Sequence, residues 1–130
     1  QIVKQSSFYE TEPWGFTDQP SFLNQALCVN TELAPAKLMQ TLLQIETEMG
    51  RTRTIKMGPR IIDLDILQID QEIIDTPLLQ IPHPAMHLRR FALIPMEEIA
   101  PNLVHPQFNQ TIAQLLEACT DPTDVQKKIM

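Results

Sequence analysis

Acidic and apolar residues alternate over one short stretch of this chain, and the alternation constrains its backbone. Asp63 and Asp65 stand on either side of Leu64, and Ile62 and Ile66 flank the pair. Successive side chains of a strand point to opposite faces, so both carboxylates share one face and the apolar side chains share the other. The pattern predicts a strand over residues 61–69 that carries two hard oxygen ligands, which suit Mg²⁺.

A cluster of cations surrounds that strand in the sequence. The chain has ten lysines and arginines and a net charge of −6. Six of the cations lie between residues 51 and 90, namely Arg51, Arg53, Lys56, Arg60, Arg89 and Arg90. A basic cluster in an acidic protein indicates a local anion site and argues against nucleic acid or an anionic membrane as the main partner. Metal-binding carboxylates beside phosphate-binding cations predict phosphoryl-type transfer from a nucleotide.

Two other interpretations of the aspartate pair stay open on the residues alone. Strand ends often carry solvated aspartates, and some nucleotide-sugar transferases hold a metal with the same Asp-x-Asp triplet. Gly58 and Pro59 favour a turn directly before the strand, and Arg60 follows that turn. This combination favours the phosphoryl-transfer interpretation.

Length and composition indicate a single domain with its own core. The chain has 130 residues, which is enough to bury a sizeable apolar core. Cys28 and Cys119 lie far apart in apolar patterns, which predicts reduced, buried thiols. No apolar run approaches the length of a membrane span and no secretory signal is visible, so a cytoplasmic protein is expected.

The local patterns predict two strands, a helix, the strand over residues 61–69 and then a helical tail. Strands are expected over residues 2–11 and 22–31, and a turn at Asp70-Gln71 is expected to lead into a short hairpin strand. Pro35 suits the first turn of a helix, with Gly50 as its C-terminal cap. That helix would carry an apolar stripe of Leu38, Leu42, Ile45 and Met49.

Two further helices are expected in the last third of the chain. Residues 88–99 favour a short helix. Thr111 can cap a last helix whose apolar stripe consists of Ile112, Leu115, Leu116 and Cys119.

Several motifs occur together in order along the chain. The first is Lys56-Met-Gly58-Pro59-Arg60-Ile-Ile-Asp63-Leu-Asp65-Ile-Leu67. The others are the segments 6–13 and 18–24, Pro82-His83-Pro84, Arg89-Arg90-Phe91 and Ile99-Ala100-Pro101. Over most of residues 3–118 the chain resembles 6-hydroxymethyl-7,8-dihydropterin pyrophosphokinase, an enzyme family of the folate pathway.

The resemblance implies an α+β, ferredoxin-like fold, in which helices cover one face of an antiparallel sheet, here with a C-terminal helical extension. The elements of this chain match that fold without its opening strand and helix, and the chain starts at Gln1. We therefore expect one pyrophosphokinase domain over residues 1–130, truncated at its N-terminus relative to the family and reduced in activity. It should be monomeric, although exposed strand edges would favour swapping or dimerisation.

The resemblance also implies a reaction and its site residues. The enzyme transfers pyrophosphate from ATP to the hydroxymethyl group of the dihydropterin, releases AMP and uses two Mg²⁺ ions. Asp63 and Asp65 match the metal-binding aspartates, and Arg51 and Arg60 match catalytic arginines. Residues that match ATP contacts are Glu46, Arg53, Lys56, His83 and Arg89. Residues that match pterin contacts are Thr11, Trp14, Phe22, Asn24 and Phe91.

Each of these assignments has an ordinary structural alternative. Phe22 and Phe91 would otherwise be core residues, Glu46 a solvated glutamate and His83 a surface histidine. The arginines before Asp63 would otherwise belong to a solvated loop. The rival for the whole chain is a non-catalytic ferredoxin-like binding module, which would not require the aspartates and arginines together.

Overall fold

The computed structural model describes residues 1–11, 22–49 and 63–128. These residues contain three α-helices and nine short strands, and every strand pair is antiparallel. The strands are β1 (Ile2–Gln5), β2 (Phe8–Thr11), β3 (Phe22–Asn24), β4 (Leu27–Val29), β5 (Ile74–Asp75), β6 (Gln80–Ile81), β7 (Val104–His105), β8 (Gln110–Thr111) and β9 (Val125–Lys128). The helices are α1 (Pro35–Glu48), α2 (Arg90–Ile99) and α3 (Ile112–Ala118). The α+β class is confirmed.

The chain divides into two compact units. The first combines Gln1–Thr31 with Pro84–Met130, and the second is Glu32–His83. The expectation of one domain truncated at its N-terminus stays a prediction. None of the helices in the described part of the chain is long and apolar enough to cross a membrane.

In the first unit, each of the two predicted N-terminal strands is broken at one point. Residues 2–11 form β1 and β2, and residues 22–31 form β3 and β4. β1 pairs with β4, and β2 pairs with β3. The two segments therefore stay antiparallel partners on both sides of a shared bend.

Ser6 holds this bend together. Its side chain is buried, and its Oγ accepts a hydrogen bond from the Ala26 N–H at 2.9 Å. The Ser6 N–H donates to the Ala26 carbonyl at 2.9 Å, and Gln25 Nε2 donates to the Ser6 carbonyl at 2.8 Å. A buried backbone group without a hydrogen-bonding partner lowers the free energy of unfolding. These bonds provide partners for the backbone groups of Ser6 and Ala26 at the bend.

A strand that the sequence pattern did not predict completes the second sheet. β9 pairs with β2, so the order is β3-β2-β9. Tyr9 lies opposite Lys127, and Lys128 Nζ lies 3.6 Å from a carboxylate oxygen of Glu10. The segment after the last helix thus returns to the N-terminal strands.

The helices of the first unit enclose its apolar core. α2 follows a 3₁₀ turn (Met86–Leu88) and packs against α3 and β2, which confirms the predicted helix over residues 88–99. α3 begins at the predicted cap: Thr111 Oγ1 accepts from the Gln114 N–H at 3.1 Å, and Gln114 Oε1 accepts from the Thr111 N–H at 2.8 Å. This reciprocal capping box satisfies two backbone donors. The buried apolar side chains are Tyr9, Met86, Leu93, Met96, Ile112 and Leu115.

In the second unit, α1 begins at Pro35 as predicted, and Met49 is its C-terminal cap residue. The proposed cap Gly50 lies outside the described residues. Ile45 and Met49 of the predicted apolar stripe are exposed, and Leu38 and Leu42 are only half-buried. The buried residue of this helix is Glu46. The spacing thus predicted the helix correctly, but the residues of its apolar stripe are half-buried or exposed.

The predicted strand over residues 61–69 is wrong for its described part. Residues 63–69 pair with none of the strands in the part of the chain that the structure describes. The turn after them is present, since the Glu72 N–H donates to the Ile69 carbonyl at 2.9 Å. However, β5 pairs with β6 instead of returning along residues 63–69. Alternation indicates which side chains share a face, but it does not supply the hydrogen-bonding neighbour that a strand needs.

The two cysteines are unlinked, as predicted, but their burial is not as predicted. Cys119 is half-buried and Cys28 is exposed. Cys28 lies on β4, all of whose residues are exposed.

His105 forms a buried polar contact in the first unit. It is 1% exposed, and its Nδ1 accepts hydrogen bonds from the N–H groups of Gln107 and Phe108 at 3.2 and 3.4 Å. Its ring stacks on Phe108 with the ring centres 4.5 Å apart, and the centre of the His87 ring lies 6.4 Å away. Burial, and to a lesser extent the charge on His87, lower the pKa of His105.

This lowered pKa predicts a pH-dependent contribution to stability. Neutral His105 stabilises the fold above its unfolded pKa of about 6.5, and the contribution is lost as pH falls through the lower folded value. The free energy of unfolding should therefore fall more between about pH 7.5 and 5.5 in the unmodified protein than in His105→Asn. Asn can accept a backbone hydrogen bond without titrating. Urea unfolding at the two pH values measures this, and parallel pH profiles would contradict the assignment.

Candidate active site

Two neighbouring strands of the first unit bring together three of the predicted pterin contacts. Thr11 lies opposite Phe22 and Tyr9 lies opposite Asn24 in the β2–β3 pair. Paired residues and residues two apart share a face of a sheet, so all four side chains lie on the same face. Asn24 Nδ2 donates to Thr11 Oγ1 at 3.2 Å. This bond orients the amide of Asn24.

The aromatic residues predicted to stack on the pterin are accessible. Phe22 is 54% exposed, so its alternative interpretation as a core residue is wrong. Phe91 lies in the first turn of α2 and is half-buried. The guanidinium carbon of Arg89 lies 5.5 Å from the centre of the Phe91 ring, within the range of a cation–π contact. An exposed ring and a partly exposed ring beside a cation suit a planar heterocycle and an anion.

Asp121 supports the helix start that carries Arg89 and Phe91. The N-cap residue of α2 is Arg89, whose side chain cannot accept a hydrogen bond. Asp121 Oδ2 instead accepts from the Arg90 N–H at 3.0 Å. Its Oδ1 accepts from the N–H and the hydroxyl of Thr123, and Arg90 Nη1 donates to the Thr123 carbonyl at 3.2 Å. A carboxylate from the segment after α3 therefore caps this helix.

These contacts determine the charge state of Asp121. Burial raises the pKa of Asp121, but hydrogen bonds from Thr123 and Arg90, together with the charge of Arg90, outweigh burial and lower the pKa overall. Sequence reasoning missed this residue because it lies 31 positions from its helix.

Glu98 attaches the C-terminal half of α2 to the N-terminal strands. Its carboxylate accepts from the Ser7 N–H at 3.1 Å, from Ser7 Oγ at 3.0 Å and from the Tyr9 hydroxyl at 2.5 Å. Burial, followed by the hydrogen bond with Glu98, raises the pKa of Tyr9 to about 12. The helix that carries Phe91 is thus held at one end by Asp121 and near the other by Glu98.

The aspartate pair lies in the second unit. Asp63 and Asp65 are exposed, whereas Leu64 and Ile66 between and after them are half-buried. This alternation is what an extended backbone produces. The segment therefore keeps the predicted division between an acidic side and an apolar side even though it is not part of a sheet in the described structure.

Glu46 of α1 contacts the backbone between the two aspartates. It is 2% exposed, and its Oε2 accepts a hydrogen bond from the Leu64 N–H at 2.5 Å. The interpretation of Glu46 as a solvated glutamate is therefore wrong. A buried carboxylate needs such donors, because desolvation of an unpaired charge is very costly.

His83, the predicted nucleotide contact, also supports this segment. The backbone N–H of His83 donates to the Leu67 carbonyl at 2.8 Å. His83 is half-buried, and it stands between Pro82 and Pro84 in the sequence. The His83 backbone is therefore fixed to the segment that follows Asp65.

The carboxylates of Asp63 and Asp65 are hard oxygen donors, the type of ligand that Mg²⁺ binds. Among the described residues, no group of three or more His, Cys, Asp or Glu side chains is placed to hold a metal ion. Mg²⁺ needs only one or two carboxylates, because water and substrate phosphates complete its octahedral shell. The other predicted site residues lie outside the described residues, namely Trp14, Arg51, Arg53, Lys56 and Arg60.

Comparison with known proteins identifies the family. The family model of 7,8-dihydro-6-hydroxymethylpterin-pyrophosphokinase matches residues 1–101. The chain belongs to this family. The matched range includes all the predicted site residues, from Thr11 to Phe91, whereas Asp121 and β9 lie beyond it.

Curated pyrophosphokinases from several bacteria are similar over most of the chain. All three described here are named 2-amino-4-hydroxy-6-hydroxymethyldihydropteridine pyrophosphokinase. The one from Aquifex aeolicus is 41% identical over 114 residues, which cover 88% of this chain and 71% of that protein. The one from Bacillus subtilis is 49% identical over 98 residues, which cover 75% of this chain and 59% of that protein. The one from Haemophilus influenzae is 44% identical over 120 residues, which cover 92% and 74%.

The contacts of Asp121 generate a stability prediction for this pyrophosphokinase. Asp121→Ala removes the cap of α2 and should lower the free energy of unfolding by about 1 kcal/mol at neutral pH. Because the folded pKa of Asp121 is lowered, its contribution is present above the unfolded carboxyl pKa and is lost as pH falls through the folded value. Urea unfolding gives the measurement, with the exposed Asp124→Ala as the matched control. Equal losses in the two variants would show that the capping contact adds no stability.

Proposed function

We propose that this chain transfers the β,γ-pyrophosphoryl unit of ATP to the hydroxymethyl oxygen of 6-hydroxymethyl-7,8-dihydropterin, with release of AMP, as a step of folate biosynthesis. The family supports the reaction and ATP as the co-substrate. The observation that carries the assignment to this site is the aspartate pair, exposed on one side of an extended segment within the matched range.

The face of the β2–β3 pair would bind the pterin. A planar, amide-rich ring needs aromatic stacking and a matching amide at its edge. Phe22 and Phe91 would supply stacking surfaces, and the amide of Asn24, oriented by its bond to Thr11, would pair with the ring edge. Trp14 is a further proposed contact, on the basis of the family motif.

Asp63 and Asp65 would hold Mg²⁺ on the triphosphate. We propose two ions, as the resemblance implies. When bound, the metal neutralises phosphate charge and keeps the transferred group in line with the attacking oxygen. Arg89, His83, Arg53 and Lys56 are proposed ATP contacts, and Arg51 and Arg60 are proposed to stabilise the charge that develops during transfer. Glu46 matches an ATP contact of the family, and here it would act on the ATP site through its bond to the Leu64 N–H.

The protein's own contribution to the reaction would be positioning. In phosphoryl-type transfer, most of the barrier reduction comes from alignment and charge stabilisation, and no covalent enzyme intermediate is needed. The contacts of Asp121 and Glu98 would orient the pterin side through α2, and those of Glu46 and His83 would orient the aspartate segment. A ferredoxin-like arrangement of the strands, a monomeric state and a cytoplasmic location belong to the same proposal.

Replacement of the aspartates tests this function. Asp63→Asn and Asp65→Asn keep the side-chain shape but remove the charge that binds a divalent ion. AMP release that depends on the dihydropterin should fall by much more than about tenfold, a change of about 1.4 kcal/mol in the barrier. The exposed Asp75→Asn should retain activity, because Asp75 lies on β5, outside the proposed site, and accepts a hydrogen bond from Gln80 on the neighbouring strand.

Ligand specificity distinguishes this function from the rivals. Calorimetry should show binding of a non-hydrolysable ATP analogue with Mg²⁺, followed by binding of the pterin. Affinity for a sugar nucleotide without affinity for the pterin would favour a sugar transferase. Failure to bind the ATP analogue would favour a non-catalytic module, and either result would overturn the proposal.

A further inference from the structure

We propose that Glu46 is a positioning residue: its buried carboxylate fixes the peptide group that joins Asp63 to Leu64 and thereby restricts the geometry of the proposed metal site. The metal role of the two aspartates rests on the proposed function. The hydrogen bond from the Leu64 N–H to Glu46 Oε2 is the observation that carries the inference.

The position of this bond lets it constrain the backbone at both aspartates. The Leu64 N–H belongs to the peptide unit that joins residue 63 to residue 64, so fixing it restricts ψ of Asp63 and φ of Leu64. They are two of the four backbone angles that determine the relative directions of the Asp63 and Asp65 side chains; the other two are ψ of Leu64 and φ of Asp65. A single bond at this position therefore constrains the spacing of the proposed metal ligands.

Hydrogen bonds from outside the segment contribute to its position. Residues 63–69 pair with no described strand. Hydrogen bonds from elsewhere in the second unit hold it instead, among them those of Glu46 with the Leu64 N–H and of the His83 N–H with the Leu67 carbonyl. Both come from groups outside the segment and lie on either side of Asp65.

Glu46 is almost completely buried, so water competes little for its hydrogen bonds. Glutamates are almost never fully buried unless they are paired, and helix α1 exposes apolar side chains at Leu43, Ile45 and Met49. A leucine or methionine at position 46 would remove the desolvation cost of the charge. A charged acceptor in turn makes the bond to Leu64 about twice as strong as a neutral one. A carboxylate at position 46 is therefore suited to fix the Leu64 N–H in place.

A matched pair of variants tests the inference. Glu46→Met fills nearly the same volume without an acceptor, whereas Glu46→Gln keeps an acceptor oxygen. Glu48→Gln is the control, because Glu48 is exposed on the same helix and accepts a hydrogen bond from Gln44 in the neighbouring turn. The far-ultraviolet circular dichroism of all three should match that of the unmodified protein.

The first readout is amide exchange, which does not require metal or turnover. In Glu46→Met, the Leu64 amide should exchange at least about tenfold faster, while the Leu93 amide of α2 should be unchanged. Glu46→Gln should restore most of the protection at Leu64. Unchanged exchange at Leu64 in Glu46→Met would overturn the inference, and so would equally fast exchange at Leu93, which would indicate general loosening.

The second readout is the magnesium dependence of nucleotide binding. With Mg²⁺, the affinity of Glu46→Met for a non-hydrolysable ATP analogue should fall by about tenfold or more, with little change when Mg²⁺ is absent. Glu46→Gln should lie close to the unmodified protein. An affinity loss of equal size without Mg²⁺ would assign Glu46 to the nucleotide itself and overturn the positioning role.

Asp65→Asn separates this inference from the proposed function. It should lose the magnesium-dependent part of nucleotide binding and keep the protection of the Leu64 amide. If Asp65→Asn binds like the unmodified protein, the proposed metal site is wrong. If Asp65→Asn loses binding while Glu46→Met keeps it, the metal site stands and the positioning role of Glu46 fails.

Discussion

A buried backbone N–H group that is not paired within a helix or a sheet still needs an acceptor. Around the candidate site, four N–H groups that lack such pairing donate to side chains. Ser6 accepts from Ala26 at the bend, Asp121 from Arg90 at the start of α2, and Glu98 from Ser7. Glu46 accepts from Leu64 between the aspartates. Three of these four acceptors are carboxylates, and charged acceptors form shorter and stronger bonds. The geometry of the candidate site therefore depends on polar contacts as much as on apolar packing.

This mode of construction suits an enzyme that acts by alignment. Transfer of a pyrophosphoryl group needs the attacking oxygen, the phosphorus and the leaving group in line, and an error of about 1 Å can cost on the order of a hundredfold in rate. Within the first unit, Asp121 and Glu98 hold the two halves of the helix that carries Phe91. Within the second, Glu46 and His83 hold the segment that carries Asp65. In both units, elements that carry proposed site residues are thus held by bonds from other parts of the same unit.

The sequence predicted the features that local chemistry determines. Pro35 at the start of α1 and Thr111 at the cap of α3 depend on neighbours within one turn, and both predictions are confirmed. The family was recognised from short motifs around Asp63 and Asp65, and the matching family model confirms it. The pairing of β9 with β2 and the cap that Asp121 provides could not be predicted, because they join residues far apart in the chain and no local pattern marks them. The same reason explains the error over residues 63–69, where alternation was present and a described partner strand was not.

Transfer of a pyrophosphoryl group from ATP to a dihydropterin gives different products from transfer of a single phosphoryl group. Phosphorus-31 NMR of a reaction with ATP, Mg²⁺ and 6-hydroxymethyl-7,8-dihydropterin follows both products directly. We expect AMP and a pterin diphosphate in equal amounts, with formation of both dependent on the pterin. Formation of ADP and a pterin monophosphate, or release of AMP that does not depend on the pterin, would contradict this expectation.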